Sequence, residues 1–117
     1  MILDRLEGGQ LFAFDQDPDA ERNTIEDDRF HLCKANFRFI KNFLIANGVS
    51  KVDGVLADLG VSGYQFDEAG RGFSFRFDAD LDMRMNPSQE LNAQKVVNQY
   101  EGSELKRMFR VYGETSY

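Results

Sequence analysis

Tryptophan is absent from this 117-residue chain, cysteine occurs once and proline twice. The single cysteine, Cys33, excludes an internal disulfide and a Cys-based zinc site within one chain, and it suits a reducing compartment. No apolar run approaches the roughly 20 residues that cross a bilayer. The opening MILDRLEGGQ lacks the apolar core of a signal peptide, so the expected location is cytoplasmic. Positive charge is also in short supply: 14 Lys and Arg stand against 20 Asp and Glu, a net charge of −6. Residues 1–30 hold nine acids and three bases, whereas residues 31–117 are balanced. A general nucleic-acid-binding surface needs a basic patch or stripe, so composition speaks against an RNA or DNA partner for this chain acting alone.

What is present is the vocabulary of a folded domain of modest size, with 42% hydrophobic residues and eleven Phe. Leu11-Phe12-Ala13-Phe14 reads as a short buried strand ending on Asp15. Asp17-Pro18-Asp19 is a turn that can open a helix, because proline is tolerated where the N–H has no partner and acids favour the positive end of the dipole. That helix is expected from Asp19 to about Ile25. Phe30–Lys34 alternates as a second strand, and Asn36 follows as an N-cap. Phe39, Ile40, Phe43 and Leu44 then form one helix face, stopped by Asn47-Gly48. Val52 to Leu59 is continuous and apolar, as a strand covered on both faces should be. Strand, helix, strand, helix, strand predicts an α/β fold with parallel crossovers.

Near the end, Ala93, Val96, Val97 and Tyr100 predict one amphipathic helix, and Leu105, Met108, Phe109 and Tyr112 a second. Ser103 is the expected N-cap of the second and Gly113 its stop.

The chain is organised around residues 53–86, DGVLADLGVSGYQFDEAGRGFSFRFDADLDMRMN. An apolar strand emptying into a polar, arginine-bearing loop is where an open α/β sheet keeps its ligand. Asp15 and Asp58 both end predicted strands. At such an edge a carboxylate can accept from two ribose hydroxyls, hold an amine, or simply cap the next helix. Asp17 competes with Asp15 but lies in the turn. Phe37 can offer its face to a purine or pack beneath its own helix, and spacing favours the core. Gln65 can donate and accept, yet a lone loop glutamine is usually solvated. Arg71, Arg76 and Arg84 can bind phosphate bidentately or pair with Asp67, Asp78 and Asp82, and the local charge balance favours pairing for at least two of them. His31 is the only histidine and sits inside a strand, so neither a metal nor a catalytic triad is expected; Cys33 shares its face as an apolar filler.

Together the motifs resemble the MraW/RsmH family of S-adenosylmethionine-dependent methyltransferases, which modify N4 of a cytidine in small-subunit ribosomal RNA. The resemblance runs through Phe12-Ala13-Phe14-Asp15-Gln16-Asp17-Pro18, Asn36-Phe37, Val52 to Ser62, Gln65-Phe66-Asp67, Arg71-Gly72-Phe73-Ser74-Phe75, Leu81-Asp82-Met83-Arg84-Met85 and Tyr112-Gly113-Glu114. It implies part of a Rossmann-like methyltransferase sheet over residues 1–86, including an active-site loop, and the start of an all-α inserted domain over 87–117. It makes Asp15 the carboxylate on the cofactor ribose and Phe37 the adenine contact. Asp58 and Gln65 would line the reactive end, with Asp58 also the candidate to accept an N–H bond from the target amine. Arg71 and Arg84 become candidate RNA contacts. Gly63-Tyr64 stands where the family commonly has Ser and a variable residue, and Asn86 replaces a common Asp. Leu59-Gly60-Val61 stands where other amino-methyltransferases have a Pro-Pro-aromatic motif, so the role of Asp58 is not fixed by that motif.

The family's first strand and Gly-rich cofactor loop have no counterpart in this sequence. That strand would lie between Leu11–Asp15 and Val52–Leu59, so two strand edges are expected to lack partners, each unpaired backbone group costing about 1–3 kcal/mol if buried. Rearranged pairing, strand exchange between copies, or residence in a larger protein are the expected outcomes, and the chain alone is not expected to turn over. A non-catalytic interaction module is the alternative reading. A nicotinamide-dinucleotide domain is a third, against which the Gly-Phe-Ser-Phe and Leu-Asp-Met-Arg-Met motifs argue.

Overall fold

Alternation of Phe12 and Phe14 with smaller neighbours, and of His31 and Cys33 with theirs, builds two strands whose like faces meet. The computed structural model describes residues 2–113, which form two compact units divided between Asp58 and Leu59. In the first, β1 (Leu11–Asp15) and β2 (Phe30–Lys34) pair in parallel, in register from Leu11↔Phe30 to Asp15↔Lys34. Both strands have the predicted bounds. The register sets Phe12 beside His31 and Phe14 beside Cys33 on one face. The Phe12 and His31 rings stack with centroids 4.6 Å apart, and Phe43 meets Phe14 edge-on at 5.8 Å. Phe43 belongs to α1 (Ile40–Ala46), which therefore covers this face. Among the described residues Cys33 and Leu3 are the buried apolar ones, and burial pushes the Cys33 thiol up. His31 Nε2 is buried there without a hydrogen-bond partner, which fits a packing role.

Two side chains tie the ends of this unit. Arg29 grips both carboxylate oxygens of Asp27 and donates through Nη1 to the carbonyls of Leu3 and Leu6, each at 3.2 Å. Lys34 forms an ion pair with Glu21 of the crossover. α1 ends as its sequence predicts: Gly48 turns left-handed at φ 74°, and the N–H groups of Gly48 and Val49 return to Ile45 and Leu44.

The crossover differs from the expected α-helix. It is a 3₁₀ helix over Pro18–Asn23, capped by Asp17, after which Thr24 is extended. Six residues bounded by Pro18 and a β-branched Thr24-Ile25 pair are too few to recover the cost of α-helix nucleation, and the tighter form is the usual short substitute. The larger correction concerns Val52 to Leu59, which forms no strand. The sheet has two strands, and no ladder partner for this segment lies among the described residues. Val55, Leu56 and Leu59 are 73, 79 and 69% exposed. A buried strand is held by its neighbours more than by its own propensity, and with none to pair with, the run forms no element and stays open.

In the second unit, α2 (Gly63–Asp67) leads to a 3₁₀ turn (Ala69–Arg71), a long loop, α3 (Ala93–Gln99) and α4 (Gly102–Tyr112). Asn92 caps α3, and the first N–H groups of that helix, Ala93 and Gln94, donate to the loop carbonyls of Asp82 and Leu81. Both C-terminal helices form where periodicity predicts. The cap of α4 is Glu101 and not Ser103, which lies inside the first turn. Tyr100 and Glu101 are both extended, so the helix opens at Gly102 directly behind that break. Gly113 closes it, donating to the Phe109 carbonyl. The Glu114 of the Tyr-Gly-Glu motif lies outside the described residues.

Candidate functional site

Parallel pairing places the segments after β1 and β2 at one sheet edge, and both carry predicted site residues. Asp15 is the exposed last residue of β1, and its Oδ1 accepts the Asp17 N–H at 2.9 Å. Asp17, 7% exposed, turns its own carboxylate to the Asp19 N–H at 3.0 Å and begins the 3₁₀ helix. The two acids thus separate by role: Asp17 caps, whereas Asp15 bonds with one oxygen in a turn and keeps acceptor capacity facing solvent. Beyond β2, Asn36 Oδ1 accepts from the Arg38 N–H, and Asn36 Nδ2 donates to Gln16 Oε1 at 2.9 Å. This last bond laces the loop behind β1 to the loop behind β2. Asp15 and Phe37 are the sequence neighbours of the two bonded side chains. Phe37, first residue of its 3₁₀ turn, is 56% exposed, so the expectation that it packs beneath its own helix does not hold. A carboxylate and a bare aromatic ring on one laced edge can take a hydroxyl pair and a flat heterocycle together.

Asp58, next to last in the segment from Val52 to Leu59, is exposed. Gln65 is 5% exposed and occupied: its Oε1 accepts the Ser62 N–H at 3.0 Å, while its own N–H donates to Ser62 Oγ at 3.2 Å. This reciprocal capping box starts α2. Ser62 was overlooked by sequence reasoning although Ser-Gly-Tyr-Gln carries the S-x-x-Q signature openly. The structure therefore brings Asp15 and Phe37 to one edge and gives Asp58 and Gln65 local settings of their own.

The arginines of the central loop are engaged within it. Arg84 holds both oxygens of Asp82, at 2.8 and 2.6 Å, and donates to the Gln89 carbonyl at 2.5 Å. That guanidinium holds the Asp82 carboxyl below the usual carboxylate range. Arg76 reaches Asp67 at 2.7 Å. Pairing therefore holds for these two. Arg71 is buried, and its Nη2 donates to the carbonyls of Arg84 and Met85 at 2.9 and 3.1 Å. Among the described residues there is no group of three or more potential metal ligands, and no helix is long and apolar enough to cross a membrane.

A parallel strand pair joined by a crossover, with polar residues at its carboxyl edge, is a piece of a Rossmann-like α/β sheet. The comparison with known families narrows this: the profile of the MraW methylase family matches residues 1–117, and the chain belongs to that family. The chain is 60% identical over 114 residues to the "Ribosomal RNA small subunit methyltransferase H" of Flavobacterium johnsoniae, and 54% identical to that of Bacteroides thetaiotaomicron. Each match covers 97% of this chain and 38% of the relative, so the chain spans well under half the length of the curated proteins it matches.

Proposed function

We propose that this chain supplies part of the site of an S-adenosylmethionine-dependent methyltransferase that modifies N4 of a cytidine in small-subunit ribosomal RNA, acting in the cytoplasm. The observation that carries the reading is the laced edge, where Asp15 ends β1 and Phe37 follows β2 across the Gln16–Asn36 bond. Asp15 holds the ribose hydroxyls of the cofactor through its remaining acceptor positions, and Phe37 lies against the adenine. Asp58 and Gln65 belong to the reactive end, Asp58 accepting an N–H bond from the target amine. Arg71 and Arg84 serve the RNA side, where their bonds to Met85, Asp82 and Gln89 hold the loop in shape. When bound, S-adenosylmethionine supplies a methyl group on a sulfonium for in-line transfer to an amine. The acids of residues 15–21 suit that cationic donor better than the phosphates of a dinucleotide. The helices α3 and α4 begin the inserted all-α domain that follows residue 86.

The test is transfer of a labelled methyl group from S-adenosylmethionine to small-subunit ribosomal RNA by a version extended to the relatives' length. N4-methylcytidine in the digested product is the expected result. Label on another nucleoside overturns the specificity, and no label on RNA overturns the reading in favour of a non-catalytic module.

A further inference from the structure

The ladder of β1 and β2 ends at Asp15↔Lys34, and beyond it each chain enters a turn of its own. Behind β1 the Asp15 carboxylate accepts the Asp17 N–H at 2.9 Å, closing a turn with Gln16 at its centre. Behind β2 the Ala35 N–H returns to the Cys33 carbonyl at 2.8 Å, and Asn36 caps the 3₁₀ turn that opens with Phe37. A side-chain bond crosses between these turns, from Asn36 Nδ2 to Gln16 Oε1 at 2.9 Å, over 20 residues of sequence. Asn36 makes it while its Oδ1 accepts the Arg38 N–H at 2.9 Å, so both ends of one amide are used. Capping alone is served equally by Asp, whose carboxylate has no N–H to give. The Nδ2 donor is what the crossing bond requires of this position. Both side chains are half-buried, where a bond is worth more than in open water.

We propose that Gln16 and Asn36 are positioning residues for the cofactor, presetting the loop that carries its ribose contact against the loop that carries its adenine contact. The inference rests on the methyltransferase reading above and adds to it the pair that acts through Asp15 and Phe37. Gln16 follows Asp15 directly and Asn36 precedes Phe37 directly, so a slip of one loop against the other moves one contact without the other. Without the bond each loop keeps its own turn, through the Asp17 N–H on one side and the Asn36 cap on the other. What is lost is their relation, and binding then bears the cost of ordering the two loops against each other. The adenosyl end is the same in the ground state and the transition state. That cost therefore falls on KM for S-adenosylmethionine and not on kcat. A bond that only supported the fold would act the other way, lowering the active fraction at an unaltered KM.

The experiment measures methyl-transfer rate against S-adenosylmethionine concentration in the version extended to the relatives' length, with small-subunit ribosomal RNA in excess. Gln16→Met removes the acceptor and leaves the Asn36 cap in place. Gln16→Glu keeps an acceptor for Asn36 Nδ2, and Asn36→Asp keeps the cap while a reversed Gln16 amide donates to it. The double variant Gln16→Glu/Asn36→Asp sets two acceptors face to face, so the crossing bond is lost with the cap intact. The expected result is a KM raised about three- to tenfold in Gln16→Met and in the double variant, with kcat within about twofold. Each single carboxylate variant is expected to keep a KM close to that of the unsubstituted protein. Unchanged KM in Gln16→Met overturns the inference, as does a fall in kcat at unaltered KM. Effects of the two carboxylates that simply add overturn it as well, because added charge and not a lost bond would then be responsible. Any of these results sinks this inference alone, whereas absence of transfer without any substitution sinks the methyltransferase reading.

Discussion

Gly72 carries the strictest requirement on residue type in the chain. Its φ of 68° belongs to glycine, and the Asp80 carbonyl occupies the place of a side chain. Gly72→Ala combines a left-handed penalty with a backbone clash, and is expected to destabilise the protein by about 1–3 kcal/mol in chemical denaturation. A change within about 0.5 kcal/mol would show that the loop arms are not held together as described. At Asp27 the consequence is one of pH. The Arg29 guanidinium, bonded to both oxygens, lowers its carboxyl from 3.8 to about 2. Because the folded value is the depressed one, the unfolded carboxyl binds its proton first as the pH falls. The contribution of the pair is whole above the unfolded value and lost as the pH drops through about 2. Carboxyl NMR of the native protein should place the Asp27 midpoint near the lower value and move it upward in Arg29→Ala. A midpoint already in the ordinary range contradicts the bidentate pair.

Elements were legible where their determinants are local. β1 and β2 follow from alternation, α1 from its stripe and its Asn47-Gly48 stop, and α3 and α4 from period 3.6. The 3₁₀ crossover was misjudged because Asp17 and Pro18 announce a helix start without saying which helix follows. Val52 to Leu59 was misjudged for the opposite reason: its sequence is that of a strand, but strand formation is decided by a partner. The capping box at Ser62 and Gln65 was written in the sequence, yet Gln65 was weighed only as a solvated or ligand-facing group. Ser62→Ala should therefore cost about 0.5–2 kcal/mol, whereas Ser103→Ala, one residue inside α4, should stay within about 0.5 kcal/mol. Equal losses by urea denaturation would restore Ser103 as a cap. Of the candidate site, Asp15 and Phe37 were readable because strand ends are readable. The Gln16–Asn36 bond that joins their loops was not, since it spans 20 residues of sequence.

On the scale of the molecule, the chain matches its curated relatives along 97% of itself and 38% of them. The segment 52–59, which its sequence predicts as a covered strand, lies open. In this chain Leu56→Ala removes an exposed side chain and should change stability by no more than about 0.5 kcal/mol. In a version of the relatives' length, where this run is proposed to serve as a covered strand, the same substitution should cost roughly 2–5 kcal/mol. Identical small effects in both would mean that the segment is a loop throughout. An open, unpaired segment with strand-forming sequence also favours pairing between copies, so light scattering should show association that rises with concentration and falls in Val55→Lys. A monomer at every concentration contradicts strand exchange.

The central claim is that the edge bearing Asp15 and Phe37 holds the adenosyl part of S-adenosylmethionine. Isothermal calorimetry of the extended version with S-adenosylmethionine, alongside its Asp15→Ala and Phe37→Ala variants, tests it most directly. Lost ribose hydrogen bonds to a charged acceptor should weaken binding by about 1.5–3 kcal/mol in Asp15→Ala, roughly tenfold or more, and loss of the ring should weaken it in Phe37→Ala. The 117-residue chain itself should bind weakly or not at all. Undiminished affinity in both variants, or no binding by the extended version, would contradict the account.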